Sequence, residues 1–153
     1  MALRKIVVDG DEILKKKCRP VETVNDRIRL ILDDMVETMH EYNGVGLAAP
    51  QVGIMRRMFV AEPDDEGVIY MINPEIIETR GAEIKEEGCL SVPGYTGYVE
   101  RPQYVKIKAL DRDGNEVVYE AEGFKARVFC HENDHLDGIL YYEKAEDFKK
   151  SDS

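Results

Sequence analysis

The chain has 153 residues, of which 43% are hydrophobic and 34% charged, and its formal net charge is −10. That length suits a single domain over 1–153 with a proper core, and the composition excludes wholesale disorder and collagen-like or low-complexity chains. A surface this acidic repels phosphate backbones, so no direct nucleic-acid partner is expected.

The opening segment, MALRKIVVDGDE, has too short an apolar stretch for a secretory signal. No run approaches the roughly 18 apolar residues of a membrane span, so no membrane partner is expected. The three cysteines, Cys18, Cys89 and Cys130, are odd in number and form no C-x-x-C pair. Reduced thiols in a cytoplasmic setting are therefore expected rather than a disulfide framework. The first long element is a helix. Val24, Ile28, Ile31, Leu32, Met35, Val36, Met39 and Tyr42 recur at helical spacing with acids and arginines between them. Thr23 or Asn25 can cap its start, and Asn43-Gly44 ends it. His40 lies on this helix and is assigned no role.

Short strands are predicted over 58–62 and 68–73, with the turn EPDDEG at 62–67 between them. The segment EEGCLSVP at 86–93 lies between two extended stretches, the second limited by Pro93. A hairpin follows, with strands 104–110 and 116–121 around Asp111-Arg112-Asp113-Gly114. A second helix is predicted from about Gly123 to Leu136, closed by Asp137-Gly138. A last strand is expected at 139–143, then a frayed polar tail, EDFKKSDS. The fold class is α+β, with mostly antiparallel sheets packed around a central helix that carries the H-E-x-x-H motif.

That motif is HENDH at 131–135. Phe124, Val128, His131 and His135 share one stripe of the second helix. Histidines four apart on one helix face stand about 6 Å apart and can chelate one ion. Glu132, one step round the helix, is placed to take a proton from water activated there. The competing reading is a chance pentapeptide with one core and one solvated histidine. A catalytic site usually takes three protein ligands. Only 18 residues follow His135, and the position where a third histidine would complete a metzincin pattern holds Tyr141. The third ligand is therefore sought upstream, and Cys89 is the best candidate. Its thiolate is soft and cancels one charge of a divalent ion. A buried structural thiol is the alternative for Cys89, and is the reading adopted for Cys18 and Cys130.

Three blocks, GVGLAAPQ at 44–51, EGCLS at 87–91 and HENDH at 131–135, resemble the G-x-G-L-A-A-x-Q, E-G-C-x-S and H-E-x-D-H patterns of the peptide deformylase family, in the same order. The likeness extends over almost the whole chain. It implies that Cys89, His131 and His135 bind one divalent metal ion per chain, Fe(II) in the native family, with Zn, Ni or Co able to substitute. It implies Glu132 as general acid/base, and Gln51 (side-chain amide) and Leu90 (backbone N–H) as oxyanion donors. Val45, Gly46 and Gly88 would bind the substrate backbone as an added strand. The implied substrate is an N-formylmethionyl peptide, met on nascent chains at the ribosome, and the products are formate and a free amino terminus.

Further expectations come from the same likeness. Glu87 and Arg101 match positions that form an ion pair steadying the Cys89 segment. Asp134 is expected to bond a ligand histidine or nearby backbone, or else to be solvated. Phe124, Val128 and Val45 would form the methionine pocket. Arg127, where many members have an aliphatic residue, is expected to lay its stem on the substrate with its head in solvent. Thr96 stands at the site mouth, where some members have an arginine. The chain ends before any long C-terminal helix of the kind used for ribosome docking, so direct docking is not expected. A zincin-like endopeptidase would need a third His or Glu ligand. A silent metal-binding protein would lack Glu132 or Gln51.

Overall fold

The computed structural model describes residues 2–151. Helix α1 spans Asp26–Glu41, and the Asn25 side chain accepts from the Ile28 amide at its start. This caps one of the four unpaired amides of a helix N-terminus. The strands are β1 (Gly46–Ala48), β2 (Met58–Ala61), β3 (Ile69–Arg80), β4 (Glu83–Cys89), β5 (Val92–Arg101), β6 (Tyr104–Leu110) and β7 (Glu116–Glu122). Helix α2 (Gly123–Leu136) and β8 (Ala145–Lys150) complete the chain. One antiparallel sheet has the order β1-β2-β3-β6-β7, the other β4-β5-β8. Both β1 and β4 are therefore edge strands. Helix α2 packs on the larger sheet, where Phe129 meets Phe59 and Tyr119. The buried face of α1, including Leu32, Met35 and Met39, covers Leu47, Met58 and Val60.

Several expectations change here. Strand β3 continues far beyond Asn73, through Pro74. Proline removes a ladder donor, and the ladder to β6 accommodates it with a register shift between Ile72 and Glu75. Pro93 does not limit its strand; it is the second residue of β5, at the end where an absent N–H is tolerated. The strand expected at 139–143 is instead a 3-10 turn, Tyr141–Glu143. Leu140 and Tyr141 are both buried, packed with Leu14, Val92 and Val99, and two adjacent buried residues break strand alternation. The polar tail is not frayed over 145–150: it forms β8 against β5, with Phe148 stacked on Tyr95. Backbone pairing needs no apolar side chains, so composition hid this strand. The last two tail positions, 152–153, lie outside the described residues.

Candidate metal centre

Helix α2 and the β4–β5 hairpin build the centre together. His131 and His135, four apart on α2, lie on one face with ring centroids 5.1 Å apart in an edge-to-face arrangement. Glu87 and Cys89, two apart at the end of β4, both reach toward α2. Gly88 between them falls in a register shift of the β4–β5 ladder, a bulge that re-aims the neighbouring side chains. Cys89 Sγ lies 3.4 Å from His135 Nε2. One donor atom from each of Cys89, His131 and His135 lies within 4.8 Å of the others. A thiolate with two imidazoles is a donor set for a divalent transition metal.

The ring settings suit that role. Glu87 Oε1 lies 2.9 Å from His131 Nδ1, which assigns the proton there and leaves Nε2 for a ligand position. Burial opposes a charged His131, yet its contacts with Cys89 and Glu87 outweigh that and hold its pKa well above the ordinary value. His135 is pushed well below its ordinary value by burial and by the neighbouring His131, so it is a neutral imidazole. Tyr141 is no ligand. Its ring stacks on His131 at 5.9 Å, and its hydroxyl donates to the Tyr95 carbonyl. Cys18 and Cys130 are buried, and burial pushes both thiols up to about 11.

Glu87 is the hub behind His131. Arg101 meets it through two bonds of 3.0 Å, the expected pair in bidentate form. Burial would raise the Glu87 carboxyl, but hydrogen bonds from His131 and Arg101 prevail and hold it at about 2. Asp134 bonds neither a ligand histidine nor backbone: it accepts from Arg101 Nη1 at 2.6 Å and faces Lys144 Nζ at 2.9 Å. Arg127 also departs from expectation. Its head is buried, with Nη1 2.6 Å from Glu87 Oε2 and 2.9 Å from the Val99 carbonyl, and Nη2 2.6 Å from the Glu83 carbonyl. A buried carboxylate and two strand carbonyls replace the water that the guanidinium gives up and compensate its desolvation.

Glu132 is 5% exposed, and its Oε1 has no hydrogen-bond partner. Burial foremost, with Glu87 adding to it against the pull of His131 and Arg101, raises its pKa to about 7. A carboxyl group near neutrality can both accept and return a proton at working pH. Gln51 is held by both ends of its amide. Oε1 accepts from the Ala48 amide at 2.9 Å, while Nε2 points to Ser91 Oγ at 3.1 Å and Cys89 Sγ at 3.5 Å. Gln51 thus braces its own loop through Oε1 and turns its amide nitrogen toward Cys89. Ser91 received no role from the sequence, although it stands in the EGCLS block; it fixes the donor end of Gln51. Leu90 and Ser91 form the turn between β4 and β5.

A cavity of about 790 Å³ opens over these groups, walled by Val45, Gly46, Gly88, Phe124, Arg127 and Val128. Val128 is buried and Phe124 stands exposed at the rim. The Val45 carbonyl accepts from the Glu62 amide at 2.8 Å. By antiparallel alternation, the peptide groups of Gly46 then face the free edge of β1. Thr96 donates to Glu86 Oε2 at the mouth. His40 lies away from this cluster and pairs with Glu62 at 2.6 Å.

Residues 3–151 match the model of the polypeptide deformylase family. The chain is 54% identical over 144 residues to peptide deformylase 1 of Clostridium perfringens, covering 94% of this chain and 98% of that one. It is 57% identical over 146 residues to the peptide deformylase of Agathobacter rectalis, covering 95% and 92%. Among solved structures, the peptide deformylase of Thermotoga maritima superposes with a TM-score of 0.91 at 43% identity, covering 94% of this chain and 98% of that one. That of Ehrlichia chaffeensis in complex with actinonin gives 0.93 at 39% identity, covering 96% and 91%.

Proposed function

The chain belongs to the polypeptide deformylase family, and on that premise we propose how its own residues carry the reaction. The activity is hydrolytic removal of the N-terminal formyl group from nascent peptides, with release of formate. The observation that carries the site assignment is the convergence of Cys89, His131 and His135 donor atoms within 4.8 Å, with Glu132 next to His131 in the chain. These three residues hold a single ion, and Fe(II) is the proposed native metal, with zinc, nickel or cobalt accepted by the same donors. When bound, the ion polarises the formyl carbonyl and activates water at neutral pH.

The other steps belong to side chains and backbone. The formylated peptide adds to the free edge of β1 at Gly46 and reaches Gly88 on β4. Its first side chain enters the space between Val45, Phe124 and Val128, with the Arg127 stem as part of the wall. Gln51 Nε2 and the Leu90 N–H donate to the oxygen that gains charge as the carbonyl carbon becomes tetrahedral. Glu132 takes a proton from the attacking water and delivers one to the departing amine. The domain 1–153 works in the cytoplasm on chains emerging from ribosomes.

Anaerobic purification with metal analysis, followed by formate release from formyl-Met-Ala-Ser, tests this reading. Formate release in proportion to bound metal is expected. A fully loaded protein that releases none contradicts it. Loss of activity in air that zinc substitution prevents is expected for Fe(II); equal air stability of both forms contradicts iron as the native metal.

A further inference from the structure

Gly46 is a glycine for a reason its backbone does not explain. Eight other glycines adopt the left-handed region, and Gly46 does not. Space is the constraint. A Cβ at residue 46 would lie 2.6 Å from Glu132 Oε2 and 2.9 Å from both Cδ and Cγ of the same side chain, whereas carbon atoms normally pack at about 3.5–4.0 Å. The Glu132 carboxylate therefore rests directly on the main chain of β1. Nothing comparable to the Glu87–His131 bond tethers it, since Oε1 has no hydrogen-bond partner.

We infer that Gly46 is a positioning residue for Glu132: the absent side chain at 46 makes the seat that sets where the acid/base carboxylate stands. This rests on the assignment of Glu132 as the proton carrier. Gly46 thus serves two directions at once. Its peptide groups face the free edge where substrate pairs, and its Cα face receives Glu132 from α2. Alanine at 46 keeps both peptide groups, so strand pairing with substrate survives. What must shift is the buried Glu132 side chain from Cγ outward, which costs some stability but leaves the backbone of β1 in place. Proton transfer is less tolerant, because the carboxylate must stay within hydrogen-bond reach of its partner.

The test is Gly46→Ala, compared with the metal-loaded wild type on formyl-Met-Ala-Ser. A displacement of about 1 Å predicts a fall in kcat of about 100-fold. Metal content is unchanged and KM stays within about threefold, because ground-state binding is retained. The kcat decides: a value within about threefold of wild type overturns the inference, whatever KM does. A structural contribution is separated by the thermal midpoints of Gly46→Ala, Glu132→Ala and the double variant. Gly46→Ala is expected to lower the midpoint when Glu132 is present and not when it is replaced by alanine. An equal effect in both backgrounds overturns the contact. Failure of the wild type itself to release formate would break the functional reading, while the midpoint cycle would still judge the contact.

Discussion

The two helices show what separates scaffold from site in this protein. Helix α1 buries one stripe, from Ile31 to Met39, and leaves the opposite side in water, with Leu30 exposed there. Helix α2 is buried without interruption from Ala126 to Glu132, and again at His135 and Leu136. A helix enclosed on nearly all sides cannot solvate its polar groups. Arg127, His131, Glu132 and His135 must each find a partner within the protein, be neutral, or hold a ligand. Arg127 and His131 find Glu87. Glu132 and His135 each keep one buried polar atom without a partner. Helix α1 also buries one charged group, Asp34, but pairs it with Arg4 at 2.9 Å, whereas α2 gathers Arg127, His131, Glu132 and His135 in one dry stretch.

Substitutions on or behind the two helices should therefore differ in effect. The largest effect is expected at Glu132→Gln, which keeps shape but cannot carry the proton. Turnover should fall by about 100- to 10,000-fold, with the ion still bound by metal analysis. Arg101→Ala should follow, because it leaves Glu87 and Asp134 short of their shared partner in a buried place. A loss of about 3–5 kcal/mol in chemical denaturation is expected, with metal affinity reduced about 10- to 100-fold through the freed His131 ring. Unchanged metal retention would detach Glu87 from the centre.

The pH dependence comes next. Glu87 is held at about 2 in the folded chain against an ordinary 4.5. A depressed carboxylate contributes stability that is present above pH 4.5 and lost as pH falls toward 2. Acid unfolding of the wild type should steepen across that window, and Glu87→Gln should not show the step. Equal slopes would contradict the hub. The smallest effect belongs to α1, where Asn25→Ala removes the Ile28 cap and should cost about 1 kcal/mol, with kcat unchanged. A fall in kcat would make α1 more than scaffold.

The sequence disclosed local patterns better than distant ones. Helix α1 and the β6–β7 hairpin were readable because period and turn chemistry act over a few residues. Asp111 does close that turn, accepting the amides of Asp113 and Asn115. The HENDH spacing placed two histidines on one face of α2, as the structure has them, while the approach of Cys89, 46 residues from His135, was not legible from spacing and came from the EGCLS block. Arg127 was misread because its partner Glu87 lies 40 residues away. No periodicity reports that a guanidinium will turn inward to a carboxylate on another element. Strand β8 was missed because main-chain pairing to β5 holds a polar segment. The seat at Gly46 was invisible for the same reason as Arg127: it depends on where Glu132 arrives from α2.

The central claim is that Cys89, His131 and His135 share one divalent cation with room left for solvent. X-ray absorption on the zinc-loaded protein tests it most directly. One sulfur neighbour at about 2.3 Å and two nitrogens at about 2.0–2.1 Å are expected, with the sulfur shell lost in Cys89→Ala. A spectrum without sulfur, or with four protein ligands closing the shell, would contradict it.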